Sequence, residues 1–223
     1  MIAKALEGPA FTKCTRCVLS QGRKHAPIPG CSPCPMSEVR LVVVSAYPGA
    51  EEVRSGQSLS PSTGKTVNAG KILETYLQKM SQDMGLDLYQ LTYRTNAIHC
   101  PPKGKKGGKL DEPRNICKGW LMSEIEEVPA GVPILLAGSD AVQSLLGKTL
   151  FDSRGVVHYY GNHPVVVTVN PIEVERSTRF TYSSSSKDLI GLPPIIGSTG
   201  WLWVKDMKLL ASLIQGGGND HTS

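Results

Sequence analysis

No apolar stretch in this 223-residue sequence is long enough to cross a membrane. A helical span needs about 20 consecutive apolar residues, and the longest apolar runs, Leu41–Val44 and Ile134–Ala137 among them, are far shorter. The chain does not open on a basic stretch followed by an apolar run and a cleavage site, so a cytoplasmic location is expected. Strong charge of either sign is missing too. The 24 Lys and Arg exceed the 19 Asp and Glu by only five, which permits a polyanionic partner without demanding one. There is no internal repeat. With 40% hydrophobic and 19% charged residues, disordered and collagenous chains are excluded, and one compact domain with a sizeable core is predicted. One phosphate-binding pattern fails for want of a residue: Thr63-Gly64-Lys65-Thr66 ends like a P-loop, but the required earlier glycine falls on Leu59.

Cysteine, in contrast, is present in a pattern. Cys14/Cys17 and Cys31/Cys34 form two Cys-x-x-Cys pairs, and Cys100 and Cys117 stand alone. Disulfides are rare in a cytoplasm, and a tight Cys-x-x-Cys turn lets two thiolates converge on a soft metal. Two readings compete on spacing. One is a zinc ribbon using Cys14, Cys17, Cys31 and Cys34. The other is an iron–sulfur cluster held by Cys14, Cys17, Cys100 and Cys117.

The remaining pattern is α/β. Leu41–Val44 reads as a strand buried on both faces, ending in a Tyr47-Pro48-Gly49 turn of the kind that borders ligand crevices in open sheets. Residues 66–84 carry an apolar helical stripe, Tyr89–Ile98 a second strand, and 103–109 a basic, glycine-rich loop. A helix through Cys117–Glu127, a strand at Ile134–Ala137, a helix at Asp140–Leu146 and a strand at His163–Val169 follow. Residues 177–199 read as a polar insertion, Trp201–Ile214 as an amphipathic helix, and 216–223 as a frayed tail. The expected architecture is a single domain over 1–215, a three-layer α/β/α sandwich around a mostly parallel four-stranded sheet, with a cysteine-rich N-terminal region.

Five segments in order resemble the uracil-DNA glycosylase superfamily, and most closely its iron–sulfur-containing family 4. They are Cys14-Thr-Arg-Cys17-Val-Leu19, Tyr47-Pro-Gly-Ala-Glu-Glu52 with Gly56, Thr95-Asn-Ala-Ile-His-Cys-Pro-Pro102, Arg154-Gly155, and Val165–Pro171 with Arg176. The resemblance implies a 4Fe–4S cluster on Cys14, Cys17, Cys100 and Cys117, and leaves Cys31 and Cys34 unassigned. It implies a base pocket of Tyr47, Pro48, Gly49, Leu59 and Asn96, with Asn96 reading the base edge. It also places the 170–176 loop, including Arg176, against DNA, and Lys103, Lys105, Lys106 and Lys109 are expected on phosphates.

The departures from the family pattern shape the expected chemistry. Ala46 stands where the first motif has a glutamate, Leu59 where a phenylalanine stacks on uracil, and Asn170 where a histidine donates to the departing base. Losing an aromatic platform removes roughly 1–3 kcal/mol of base stacking. Glu52 matches an acidic family position, and Glu51 or Glu52 is expected to hold water, with Asn170 as the remaining donor. Each glutamate equally suits a helix start. With Gly49 leaving room, the expected activity is monofunctional excision of a modified pyrimidine, such as the hydroxymethylated or glucosylated cytosines of phage DNA, in antiviral defence. Ordinary uracil repair and a non-catalytic modified-base reader are the alternatives. A monomer acting on DNA is expected.

Overall fold

The computed structural model describes residues 1–64, 66–102, 110–182 and 199–216. Five strands, β1 (Leu41–Ser45), β2 (Thr92–Asn96), β3 (Ile134–Ala137), β4 (His158–Tyr160) and β5 (His163–Thr168), form one sheet in the order β2-β1-β3-β5-β4. All neighbours pair in parallel except β4, which runs antiparallel to β5. The sheet therefore has one strand more than expected. β4 is three residues long and pairs only with β5 at the sheet's edge, so it carries no apolar run to announce it.

β1 is buried along its whole length. Val42 and Val44 enter one cluster with Leu121, Ile125, Val142 and Leu145, while Leu41 and Val43 enter another with Leu73, Leu77, Trp203 and Leu210. Burial on both faces is why the strand is a continuous apolar run and not an alternation. The first cluster is covered by α4 (Asp111–Glu126) and α5 (Ser139–Leu146), the second by α3 (Ala69–Met84) and α8 (Thr199–Gly216). A three-layer sandwich results. The N-terminal region belongs to it, because Ala3, Leu6 and Phe11, the last on α1 (Pro9–Thr12), lie in the first cluster.

Several boundaries shift for local reasons. α3 starts after Asn68, whose Oδ1 accepts the Lys71 N–H at 2.9 Å and caps the helix, so residues 66–68 lie outside it. α4 starts at Asp111, ahead of the expected Cys117, with Asp111 and Glu112 in the first turn where the helix dipole favours anions. Four α-helices were not anticipated: α1, α2 (Ala50–Ser55), α6 (Leu150–Ser153) and α7 (Pro171–Tyr182). α7 and α8 take up both ends of the expected 177–199 insertion. Residues 183–198 and 217–223, the body of that insertion and nearly all of the expected tail, lie outside the described residues, as do Lys103, Lys105, Lys106 and Lys109.

Candidate active-site cleft

From β1 the chain moves to β2 on one side and then back to β3 on the other, so the strand order reverses between β1 and β3. Crevices form at such points, outside the carboxyl ends of parallel strands. A cleft of about 960 Å³ opens there. The end of β1 supplies Ala46, Tyr47 and Gly49, and α2 adds Glu51 and Glu52. Gly138, Ser139 and Asp140 follow β3, and Asn170, Glu173 and Arg176 follow β5.

Glu51 and Glu52 are neighbours with opposite surroundings. Glu51 is half-buried and ion-paired with Arg54. Glu52 is 6% exposed, and its carboxylate fastens three segments. Oε2 accepts the Gly49 N–H at 2.7 Å, while Oε1 accepts the Leu59 N–H at 2.7 Å and Asn96 Nδ2 at 2.8 Å. Burial pushes the Glu52 carboxyl up from its ordinary value, against the downward pull of these three bonds. The family-matched acid is therefore placed to hold the Tyr47–Gly49 turn, with part of its surface on the cleft.

Three of the five expected pocket residues lie outside the cleft lining. Leu59 has a φ of +51°, its N–H is held by Glu52, and its side chain, 1% exposed, joins the core with Val43, Leu73 and Leu77. Gly70 lets α3 press against this turn; a Cβ there would stand 2.4 Å from the carbonyl oxygens of Leu59 and Ser60. Asn96 is fully buried, with Nδ2 donating to Glu52 and, at 3.2 Å, to Ser58 Oγ, and with Oδ1 lacking a partner among the described residues. Pro48 is buried and also outside the cleft lining. Tyr47, Gly49, Glu51, Glu52, Asn170 and Arg176 do come together there.

Asn170 Oδ1 accepts the Ile172 N–H at 3.1 Å, closing the turn into α7, so its remaining polar atom, Nδ2, is a donor. Arg176 is paired with Glu173 at 2.6 Å. Asp140, absent from the expected set, lines the cleft and accepts from Arg114 at 2.8 Å. Burial raises its carboxyl above the ordinary value, with Arg114 opposing. The signal that could have found it is Gly138-Ser139-Asp140 directly after a buried strand, the position from which an open sheet addresses a ligand.

A model of the uracil DNA glycosylase superfamily matches residues 32–188, more than half of the chain. The chain belongs to this superfamily. Its members are generally DNA glycosylases, so the family implies a DNA substrate. Among the described residues, no helix is long and apolar enough to cross a membrane.

The superfamily match begins beyond Cys14 and Cys17, but the fold carries both to Cys100 and Cys117. These four side chains line one small cavity together with Phe11, Arg23, His99 and Trp120. Burial pushes the Cys117 thiol up to about 12 and raises that of Cys100, where Arg23 Nη1, 3.5 Å from Sγ, pulls the other way. Among the described residues, no three His, Cys, Asp or Glu side chains form a group that could hold a single metal ion. The donor set, four thiols from three separate segments, is of the kind that holds an iron–sulfur cluster. Cys31 and Cys34 do not line this cavity, so the zinc-ribbon set is not brought together. The Cys31 backbone bridges Arg94 beside β2, and Cys34 Sγ lies 3.1 Å from Ser32 Oγ.

Proposed function

We propose that this chain is a monofunctional DNA glycosylase that hydrolyses the N-glycosidic bond of a flipped, 5-substituted pyrimidine. The observation that carries the reading is the cleft beside Gly49: a Cβ built there would meet only Glu52 Oε2, at 3.5 Å, so the turn takes little space from a bound base. With Leu59 in the core, this room no longer depends on the Phe-to-Leu change. Hydroxymethylated and glucosylated cytosines, the hypermodified bases of phage genomes, are the candidate substrates, and antiviral defence is the corresponding role.

The target must leave the stack at a cost of a few kcal/mol, recovered in the pocket. Bond cleavage builds positive charge on the sugar and negative charge on the base. Asn170 Nδ2 is the donor for the base oxygen, and the Glu51 carboxylate steadies the sugar and orients water. Water adds its hydroxyl to C1′ and its proton to the departing base, leaving an abasic site in an uncut strand. Glu52 acts as a positioning residue through Gly49. We also propose that Cys14, Cys17, Cys100 and Cys117 hold a 4Fe–4S cluster, a structural tie between the N-terminal segment, the end of β2 and α4.

Mass spectrometry of bases released from uracil-containing and hypermodified DNA, mixed with anaerobically purified protein, tests the reading. Free modified cytosine with little uracil is the expected result, and Asn170→Ala should cut its release about 10²-fold. Uracil alone would overturn the modified-base specificity and return the protein to ordinary uracil excision. Binding with no released base would overturn the enzyme reading in favour of a base reader.

A further inference from the structure

Resting on the reading that Cys14, Cys17, Cys100 and Cys117 hold a 4Fe–4S cluster, we propose that Arg23 tunes that cluster, setting its reduction potential and slowing its loss, by donating a charged hydrogen bond to the sulfur of Cys100. Arg23 is the one Lys or Arg among the described residues that line the cysteine cavity. Its Nη1 donates to Cys100 Sγ at 3.5 Å, and its Nη2 donates to the Thr12 carbonyl at 3.4 Å. The guanidinium thus spans the end of α1 and the segment after β2.

The turn after Cys17 delivers it there. The Ser20 N–H and Oγ both donate to the Cys17 carbonyl, at 3.0 and 2.6 Å, and the Arg23 N–H donates to the Ser20 carbonyl at 3.4 Å. A side chain six residues past one thiol is folded back onto another. Four thiolates carry more negative charge than an oxidised four-iron core carries positive, so the filled site is an anion. Burying an anion is costly unless opposite charge and hydrogen bonds answer it. Burial raises both the Cys100 and Cys117 thiols, and each rise is opposed by a donor, Arg23 at Cys100 and the His99 backbone N–H at Cys117. Only the first of these donors carries a charge. Trp120, in the same wall, has a buried Nε1–H with no acceptor among the described residues. A buried donor is expensive to leave unmade, and a sulfur-rich occupant would satisfy it. The cavity therefore offers more donors than its own wall accepts. Net charge and hydrogen bonds to sulfur are among the influences that set a cluster's potential. Both stabilise the more negative, reduced state, so the guanidinium raises the potential. Lysine is only a partial substitute, because a point charge lacks the planar fork that reaches Cys100 and Thr12 together.

The test compares anaerobically purified wild type, Arg23→Met and Arg23→Lys. Potentiometric titration followed by EPR gives the potential, and bleaching of the brown absorbance by a chelator gives the rate of cluster loss. Iron content and urea midpoint are measured alongside. Arg23→Met is expected to have a more negative potential and to bleach about 10-fold faster, the scale on which partners of metal ligands affect metal retention. Arg23→Lys should fall between it and wild type. A wild-type potential in Arg23→Met would overturn the proposal even if bleaching were faster, because a clip that merely tied α1 to Cys100 would change stability and leave the potential alone. Should Arg23→Met fail to fold or to bind iron, Arg23→Lys decides, and a wild-type potential and bleaching rate there would overturn the proposal. Iron-free wild type would overturn the cluster reading and this inference with it, whereas iron-replete variants indistinguishable from wild type would overturn the role of Arg23 alone.

Discussion

The two Cys-x-x-Cys pairs have the same spacing and opposite settings. Cys14 and Cys17 face a cavity shared with Cys100 and Cys117, whose lining is otherwise Phe11, Pro27, Ile116, Trp120 and His99, with the Ser20 hydroxyl and the Arg23 guanidinium. Cys31 and Cys34 sit in a segment stitched to the sheet by ordinary bonds. The Cys31 N–H donates to the Arg94 carbonyl at 2.8 Å, and the Arg94 N–H donates back at 2.9 Å. One residue earlier, the Gly30 N–H donates to Glu124 Oε1 at 2.8 Å. Spacing is a local property that any turn can satisfy, whereas ligation requires partners that only the fold delivers. The second pair has hydrogen bonds where the first has other thiols.

The largest expected difference is in metal content. Cys117→Ser should abolish the brown iron–sulfur absorbance and iron content of anaerobically purified protein, whereas Cys34→Ser should keep both. A colourless wild type with one zinc, or iron lost equally in the two variants, would erase the contrast. The comparison is sharpened because the two cysteines are equally inaccessible, at 7% and 9% exposure. Burial alone therefore does not explain a difference between them.

The second region should instead break through packing. A Cβ on Gly30 would stand 2.4 Å from Tyr93 Oη and 2.5 Å from Glu124 Oε1. Those atoms cannot simply withdraw. Tyr93 Oη donates to Glu124 Oε1 at 2.9 Å, and Glu124, wholly buried, also accepts from Thr95 Oγ1 at 2.7 Å. Gly30→Ala should cost about 3 kcal/mol in a urea melt while iron remains bound. Loss of iron with little loss of stability would mean that this segment belongs to the metal site after all.

These contrasts also show which features were legible in the amino-acid order. β1, β3 and β5 were, because a strand buried on both faces must be apolar throughout. β4 was not, because an edge strand of three half-exposed residues obeys no such constraint. In the cleft, Tyr47, Gly49 and Asn170 were legible because turns after parallel strands converge on one rim of the sheet. The inward course of Leu59 and Asn96 was hidden, since it depends on one carboxylate, Glu52, bonding to groups 7 and 44 residues away.

The smallest expected effect concerns Cys31 alone. Burial raises its thiol above the ordinary value of 9.0, with the nearby Arg94 as the main opposing influence. Between that value and the raised one, the unfolded chain gives up a proton that the folded chain keeps. Stability from this group is thus fully present below about pH 9 and falls as pH rises through the window, by at most about 1.4 kcal/mol per pH unit. Serine does not titrate there. Under reducing conditions, the advantage of wild type over Cys31→Ser in urea midpoint should be constant below pH 9 and narrow above it. A pH-independent difference would place Cys31 in surroundings that do not disfavour its thiolate. Its setting would then resemble a ligand's more closely than the hydrogen-bonded segment around it suggests.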